Sequence, residues 1–85
     1  MVLHTINKVA ALDKCRGLIG PDDLVVLIED GVYLALSELP FRTYALEDDL
    51  LARGLQHRRL ESVISIGYQE FVELSVKAEK ICSWF

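Results

Sequence analysis

Short apolar runs alternate along the chain with segments of helical periodicity, and turn residues separate the two kinds of segment. Five of the runs are short and bounded by turn signals, which is typical of strands. They are Val2–Ile6, Leu24–Ile28, Arg42–Leu46, Val63–Ile66 and Ile81–Phe85. The run Leu24–Ile28 has no polar position, as expected for a parallel strand that is covered on both faces. The alternation therefore predicts an α/β fold with Leu24–Ile28 at the centre of the sheet.

The segments between these runs predict four helices. They cover Ala10–Ile19, Val32–Leu39, Glu47–Arg53 and Tyr68–Glu79. Gly20 and Pro21 end the first helix, Pro40 ends the second, and we expect Asp30 to cap the start of the second. Short strand–helix–strand connections are right-handed. The order therefore predicts a small, doubly wound, mostly or wholly parallel five-stranded sheet with helices on both faces, as a single domain over residues 1–85.

The predicted helix Val32–Leu39 departs from the usual amphipathic pattern, because it is apolar nearly all round. A helix on the surface of a domain normally has a polar side. We therefore expect one side of this helix to pack on the sheet and the other on a partner subunit. Tyr33 and Leu36 are the expected contact residues.

Composition strengthens the expectation of a partner. The chain has 85 residues, of which 52% are hydrophobic, and chains this small bury only about 60–65% of their unfolded surface. No apolar run approaches the roughly 18–20 residues of a membrane helix, and the N-terminus lacks the features of a secretion signal. We expect a cytoplasmic protein that does not bind membranes and buries its excess apolar surface in an oligomer.

The charge pattern argues against direct contact with nucleic acid. Thirteen acidic and nine basic residues give a net charge of −4, and a field of that sign repels phosphate backbones. The basic cluster His57-Arg58-Arg59 is interpreted as a solvated loop.

The sequence lacks the common signatures of cofactor and metal sites. It has neither a glycine-rich phosphate loop nor the cysteine and histidine spacing of a zinc site. The acidic run Glu47-Asp48-Asp49 is better explained by the favourable effect of carboxylates at a helix start. His4 falls in a predicted strand and is interpreted as a structural histidine. We expect no cofactor and no metal.

Cys15 is the candidate for chemistry. Lys14 and Arg16 flank it, and neighbouring cations favour the thiolate, which is the species that attacks or carries sulfur. Against this, Leu12, Cys15 and Ile19 share a helical face, where a cysteine serves as a small apolar core residue. The local pattern leaves both interpretations open. Cys82 lies far along the chain near Trp84, and we expect both cysteines to be free thiols.

Several blocks along the chain resemble the DsrH/TusB family in order and in position. They are Leu3–Lys8, Leu27–Tyr33, Tyr44–Gly54, Tyr68–Leu74 and Ser83–Phe85. The letters EDGVY and YALEDDLLARG are specific when they occur together. The resemblance covers nearly the whole chain and implies the DsrE-like sulfurtransferase fold.

The resemblance also implies a function. Members of the family are subunits of small cytoplasmic complexes that relay persulfide sulfur, built with a DsrE/TusD-like and a DsrF/TusC-like subunit as a dimer of heterotrimers. The sulfur ends either in 2-thiouridine at the tRNA wobble position or in dissimilatory sulfur oxidation. The main acceptor cysteine belongs to the DsrE/TusD-like subunit. A subset of members carries a cysteine in the first helix, and Cys15 matches that placement.

Three functions stay open from the sequence. The chain is a relay subunit in which Cys15 accepts and passes on sulfane sulfur, or a non-catalytic structural subunit with Cys15 idle in the core. The third function is a flavodoxin-like module that binds a small molecule at the carboxyl ends of its strands. The lack of a glycine-rich loop weighs against this third function. The sequence also leaves open whether the chain, when it is alone, forms a homo-oligomer in place of the complex.

Overall fold

The five predicted strands form one sheet in which every pair of neighbours is parallel. A computed structural model describes residues 1–85. Its strands are β1 (Val2–Ile6), β2 (Leu24–Leu27), β3 (Arg42–Leu46), β4 (Val63–Ile66) and β5 (Lys80–Trp84). They lie in the order β4-β3-β2-β1-β5, so that β2 is the middle strand. The predicted α/β fold and the central place of the second strand are confirmed.

The middle strand is covered on both faces, as its continuous apolar sequence predicts. All four residues of β2 are buried. Because side chains alternate along a strand, Val25 and Leu27 point to what we call the first face of the sheet, and Leu24 and Val26 point to the second face.

The helices are distributed unequally over the two faces. The chain steps from β1 to β4 through α1 (Leu12–Cys15), a 3-10 helix (Glu29–Leu36) and α2 (Glu47–Ala52), which all pack on the first face. It then returns across the sheet to β5 through α3 (Tyr68–Lys77), whose inner residues pack on the second face. Reversing the direction of the crossover while keeping its hand places α3 on the opposite side.

The first predicted helix is broken into three pieces. The α1 turn is preceded by the 3-10 turn Val9–Ala11 and followed by the 3-10 turn Arg16–Leu18. The segment contains Gly17, which lowers helix propensity. None of the helices in the structure is long and apolar enough to cross a membrane.

The second predicted helix is a 3-10 helix that starts earlier than expected. Asp30 lies inside it, the residue at its start is Ile28, and no side chain caps it, so the predicted capping role of Asp30 is wrong. A side chain at Gly31 would collide with the carbonyl oxygen of Ile6, so the helix starts in direct contact with the end of β1. The Asp30 carboxylate instead accepts a hydrogen bond from Arg53 Nε at 2.9 Å.

This 3-10 helix is apolar because other parts of the same chain pack against most of its sides. Val32, Leu34 and Ala35 are buried, and Leu36 is half-buried against the first-face core. The segment after α2 lies against it, since the backbone N–H of Leu60 donates to the carbonyl oxygen of Ala35 at 2.8 Å. Tyr33 alone among these large side chains remains exposed.

The cores of the two faces differ in size. The first-face core contains 13 buried residues contributed by strands and helical segments alike. The second-face core contains five buried residues, all from strands, and α3 has no buried residue of its own. The second face is therefore only partly covered.

Candidate functional site

The predicted thiol Cys15 lies in the first-face core. Its side chain is 0% exposed, and its Sγ donates a weak hydrogen bond to the carbonyl oxygen of Leu12 at 3.6 Å. Burial raises the pKa of the Cys15 thiol, and the opposing effect of the nearby Arg16 charge is smaller. In this conformation the sulfur is inaccessible and held as the thiol, as the helical stripe with Leu12 indicated.

Cys82 is the more exposed thiol. It is a free cysteine of intermediate exposure on β5, an edge strand that pairs only with β1. Its partner across the ladder is His4. Both cysteines are free, as the sequence predicts for this pair.

His4 is a satisfied structural histidine, as predicted, and its partners come from distant parts of the chain. Its Nε2 lies 3.1 Å from Oδ2 of Asp23, in the turn before β2. Its Nδ1 lies 3.0 Å from Nε1 of Trp84, at the end of β5. The Asp23 carboxylate also accepts hydrogen bonds from the backbone N–H groups of Val2 and Gly20.

These hydrogen bonds keep Asp23 ionised. The backbone N–H groups of Val2 and Gly20, followed by His4, lower the pKa of Asp23 to about 2, because donors that point at a carboxylate stabilise its charged form. The three side chains form what we call the His4 cluster: His4, Asp23 and Trp84.

At the carboxyl ends of β2 and β3, the segments that follow the two strands contact each other. Asp49 Oδ2 accepts a hydrogen bond from the backbone N–H of Glu29 at 2.7 Å, and Arg53 pairs with both Asp30 and Asp49. The acidic run starts α2, as predicted. Asp49 and Asp30 therefore join α2 to the start of the 3-10 helix that follows β2. This arrangement gives the flavodoxin-like alternative no specific support.

The predicted basic loop is partly structural. Arg59 Nη1 donates to the carbonyl oxygen of Val63 at 2.6 Å and so holds the start of β4. His57 and Arg58 are exposed, as expected for a solvated loop.

An exposed apolar stripe runs along α3. Its members are Tyr68, Val72 and Val76, which are 61%, 56% and 79% exposed. They follow one another every four residues and so lie on one side of the helix. The neighbouring inner side, with Phe71 and Leu74, packs on the second-face core. We call these three residues the α3 stripe.

Two of these features were not predicted from sequence. The residues of the His4 cluster are too far apart along the chain for any local pattern to connect them. The α3 stripe did have a signal, namely the four-residue spacing of its members, but the same spacing is also typical of a buried helix face.

The fold and these features define a class of protein: a small, all-parallel α/β domain with one face of its sheet partly uncovered and two free cysteines. The chain belongs to the DsrH family: the family model described as "DsrH like protein" matches residues 7–81. This confirms the family resemblance found in the sequence.

Similar curated proteins match this chain over nearly its whole length. Protein TusB of Escherichia coli O81 (strain ED1a) is 35% identical over 95 aligned residues, which cover 98% of this chain and 100% of the relative. Protein TusB of Shigella flexneri is 34% identical with the same coverage.

A solved structure supports the fold. The solution structure of protein Tm0979 from Thermotoga maritima matches this chain with a TM-score of 0.71 and 35% sequence identity. The match covers 89% of this chain and 92% of the other.

Proposed function

We propose that this chain is a subunit of a sulfur-relay complex that serves tRNA modification, and that it works there by completing the assembly. Membership of the DsrH family and the similarity to TusB proteins support the relay function. The finer part of the proposal is that the persulfide travels to 2-thiouridine at the wobble position. The TusB relatives favour this end point over sulfur oxidation.

The observation that carries the structural role is the unequal covering of the sheet. The α3 stripe adds three large apolar side chains to a face whose core is small. On the edge strand β4, Ile64 is 50% exposed on the same face. Exposed apolar surface of this kind marks a protein contact.

The proposed occupant of this surface is another α/β subunit of the relay complex, of the DsrE/TusD-like or DsrF/TusC-like type. The polar side of α3 carries Gln69, Glu73 and Lys77, so the apolar stripe has the polar border typical of a protein interface. Family members that assemble as heterotrimers need such a surface on each subunit.

The experiment is co-purification with a DsrE/TusD-like and a DsrF/TusC-like subunit. Val72→Glu places a charge in the stripe and should abolish co-purification, because an unpaired charge in an apolar contact is strongly unfavourable. Gln69→Glu adds the same charge on the polar side of the same helix and should leave assembly intact. Equal assembly of both variants would place the interface elsewhere.

A separate experiment tests the relay function without relying on that interface. The reconstituted complex is supplied with a sulfane sulfur donor, and 2-thiouridine is measured in tRNA by mass spectrometry. Omitting this chain should abolish the modification. If thiolation is unchanged without the chain, the proposed function is wrong.

The role of Cys15 as a sulfur carrier stays a prediction, and its burial counts against it. Cys15→Ser keeps the size of the side chain and removes the sulfur. If the chain only completes the assembly, the variant should support tRNA thiolation like the wild type, and the donor should leave no added sulfur mass on Cys15. Sulfur mass on Cys15, together with loss of thiolation in Cys15→Ser, would assign the carrier role to this chain.

A further inference from the structure

The hydrogen bonds of the His4 cluster fix the protonation state of the imidazole ring. An indole N–H can only donate a hydrogen bond, so Nδ1 of His4 must accept from Trp84 and carries no proton. The proton of the ring is therefore on Nε2, where it donates to the Asp23 carboxylate. His4, which is 3% exposed, is a neutral histidine with both nitrogens in use.

A second proton on the His4 ring can bind only at Nδ1. The Asp23 carboxylate accepts three hydrogen bonds and stays ionised over the physiological range. The added proton would occupy Nδ1, where it would point at the N–H of Trp84. Two donors facing each other in a buried site cannot form a hydrogen bond, and a buried polar group without a partner is unfavourable.

The hydrogen bond that would break, from the indole N–H of Trp84 to Nδ1 of His4, attaches a side chain of the last strand to β1. β5 pairs with β1 alone and forms one edge of the sheet. Trp84 stacks on His4, with ring centres 6.3 Å apart, and packs against the first-face core. The backbone ladder with β1 holds the rest of the strand, and at Trp84 itself it ends in one hydrogen bond, from the N–H of Asn7 to the carbonyl oxygen of Trp84 at 3.3 Å.

The other ionisable groups near His4 do not offer the second proton an alternative site. From β5, Cys82 is the ladder partner of His4, and Lys80 lies two residues before it, opposite Val2. From β2 the ladder partner is the apolar Val25. The helical segment on this face contributes Cys15, a buried thiol, while its charged residues Asp13, Lys14 and Arg16 are exposed.

We propose that His4 is a proton-sensitive latch for β5. The neutral ring holds Trp84 and thereby the end of the strand, and protonation at Nδ1 releases the indole and loosens β5 while the ion pair with Asp23 remains. The latch is independent of the proposed relay function, since it rests on contacts within this chain.

The test is NMR spectroscopy of the full chain labelled with nitrogen-15, from about pH 8 to about pH 5, the range in which histidines titrate. At the upper end, the ring nitrogens of His4 should show the tautomer with the proton on Nε2. As His4 titrates, the indole N–H of Trp84 should shift with the same midpoint. Amide exchange in β5, corrected for its intrinsic pH dependence, should rise about fivefold to tenfold, as expected for the loss of one hydrogen bond, while β2 and β3 stay unchanged.

Matched variants separate the latch from a general effect of acid. His57→Gln removes the other, exposed histidine and should leave the transition in place. Trp84→Phe keeps an aromatic ring but removes the donor, so His4 should still titrate while β5 exchange no longer follows it. The proposal is overturned by a proton on Nδ1 at about pH 8, by a ring that stays neutral down to about pH 5, or by a titration of His4 that leaves β5 unchanged.

Discussion

The two faces of the sheet show that regular secondary structure and deep burial are separate properties. The first face is covered by short and irregular pieces, two 3-10 turns, a single α-turn, a 3-10 helix and α2, yet it holds the core of 13 buried residues. The second face is covered by α3, the longest regular helix, which has no buried residue. The irregular segments are stabilised by tertiary packing, which commonly outweighs helix propensity.

This difference explains the apolar surface that remains. A segment that packs on the sheet and on its neighbours can be apolar nearly all round, as Val32–Leu36 of the 3-10 helix is. By contrast, α3 packs on the sheet with one side only, so the α3 stripe on its neighbouring side is exposed. The first face thus holds most of the buried core, and the second face combines a smaller core with the exposed apolar surface that we propose for a partner.

The largest loss of stability is expected on the first face, where Gly31 meets the end of β1. Gly31→Ala would place a methyl group against the carbonyl oxygen of Ile6, a backbone atom at the end of β1. We expect the free energy of unfolding to fall by about 3 kcal/mol, the upper range for overpacking in a core. Chemical denaturation followed by circular dichroism measures it.

Gly17→Ala is the matched control for that variant. A side chain at Gly17 meets no atom within 4 Å, so its stability should be unchanged or slightly higher, as is usual for alanine in place of a helical glycine. Equal losses at the two positions would show that the contact with Ile6 does not limit the first face.

A pair of leucine truncations on helices compares the two faces directly. Leu50 on α2 is fully buried in the first-face core, and Leu74 on α3 is half-buried on the second face. Leu50→Ala should lower the free energy of unfolding by about 3 kcal/mol, within the range for buried leucines. Leu74→Ala should cost about 1 kcal/mol, near the centre of the distribution for single mutations. A loss at Leu74 as large as that at Leu50 would mean that the second face is packed as closely as the first.

The strands were predictable from the sequence because their signal is local. Arg42–Leu46 and Val63–Ile66 are short apolar runs between turns, and both were predicted with the bounds that the structure has. The helical pieces of the first face were less predictable, since an apolar segment enclosed on several sides loses the periodicity that marks a helix.

The candidate site was less predictable than the fold, because its chemistry depends on distant contacts. Lys14 and Arg16 indicated a reactive Cys15, but the burial that raises the pKa of the thiol depends on how the helical segment packs on the sheet. The His4 cluster joins residues 80 positions apart. The family resemblance indicated the function class where local patterns did not.

The smallest effect on stability is expected in the α3 stripe. A substitution there tests whether the stripe serves the fold of the chain or the binding of a partner. Val76 is the most exposed of the large apolar side chains, so Val76→Glu should change the free energy of unfolding of the isolated chain by less than about 0.5 kcal/mol, as surface substitutions usually do. The same substitution should weaken binding to the partner subunits, measured by sedimentation of the mixed proteins. If Val76→Glu instead destabilises the isolated chain as much as Leu74→Ala does, the stripe belongs to the fold of the chain, and the second face has no side free for a partner.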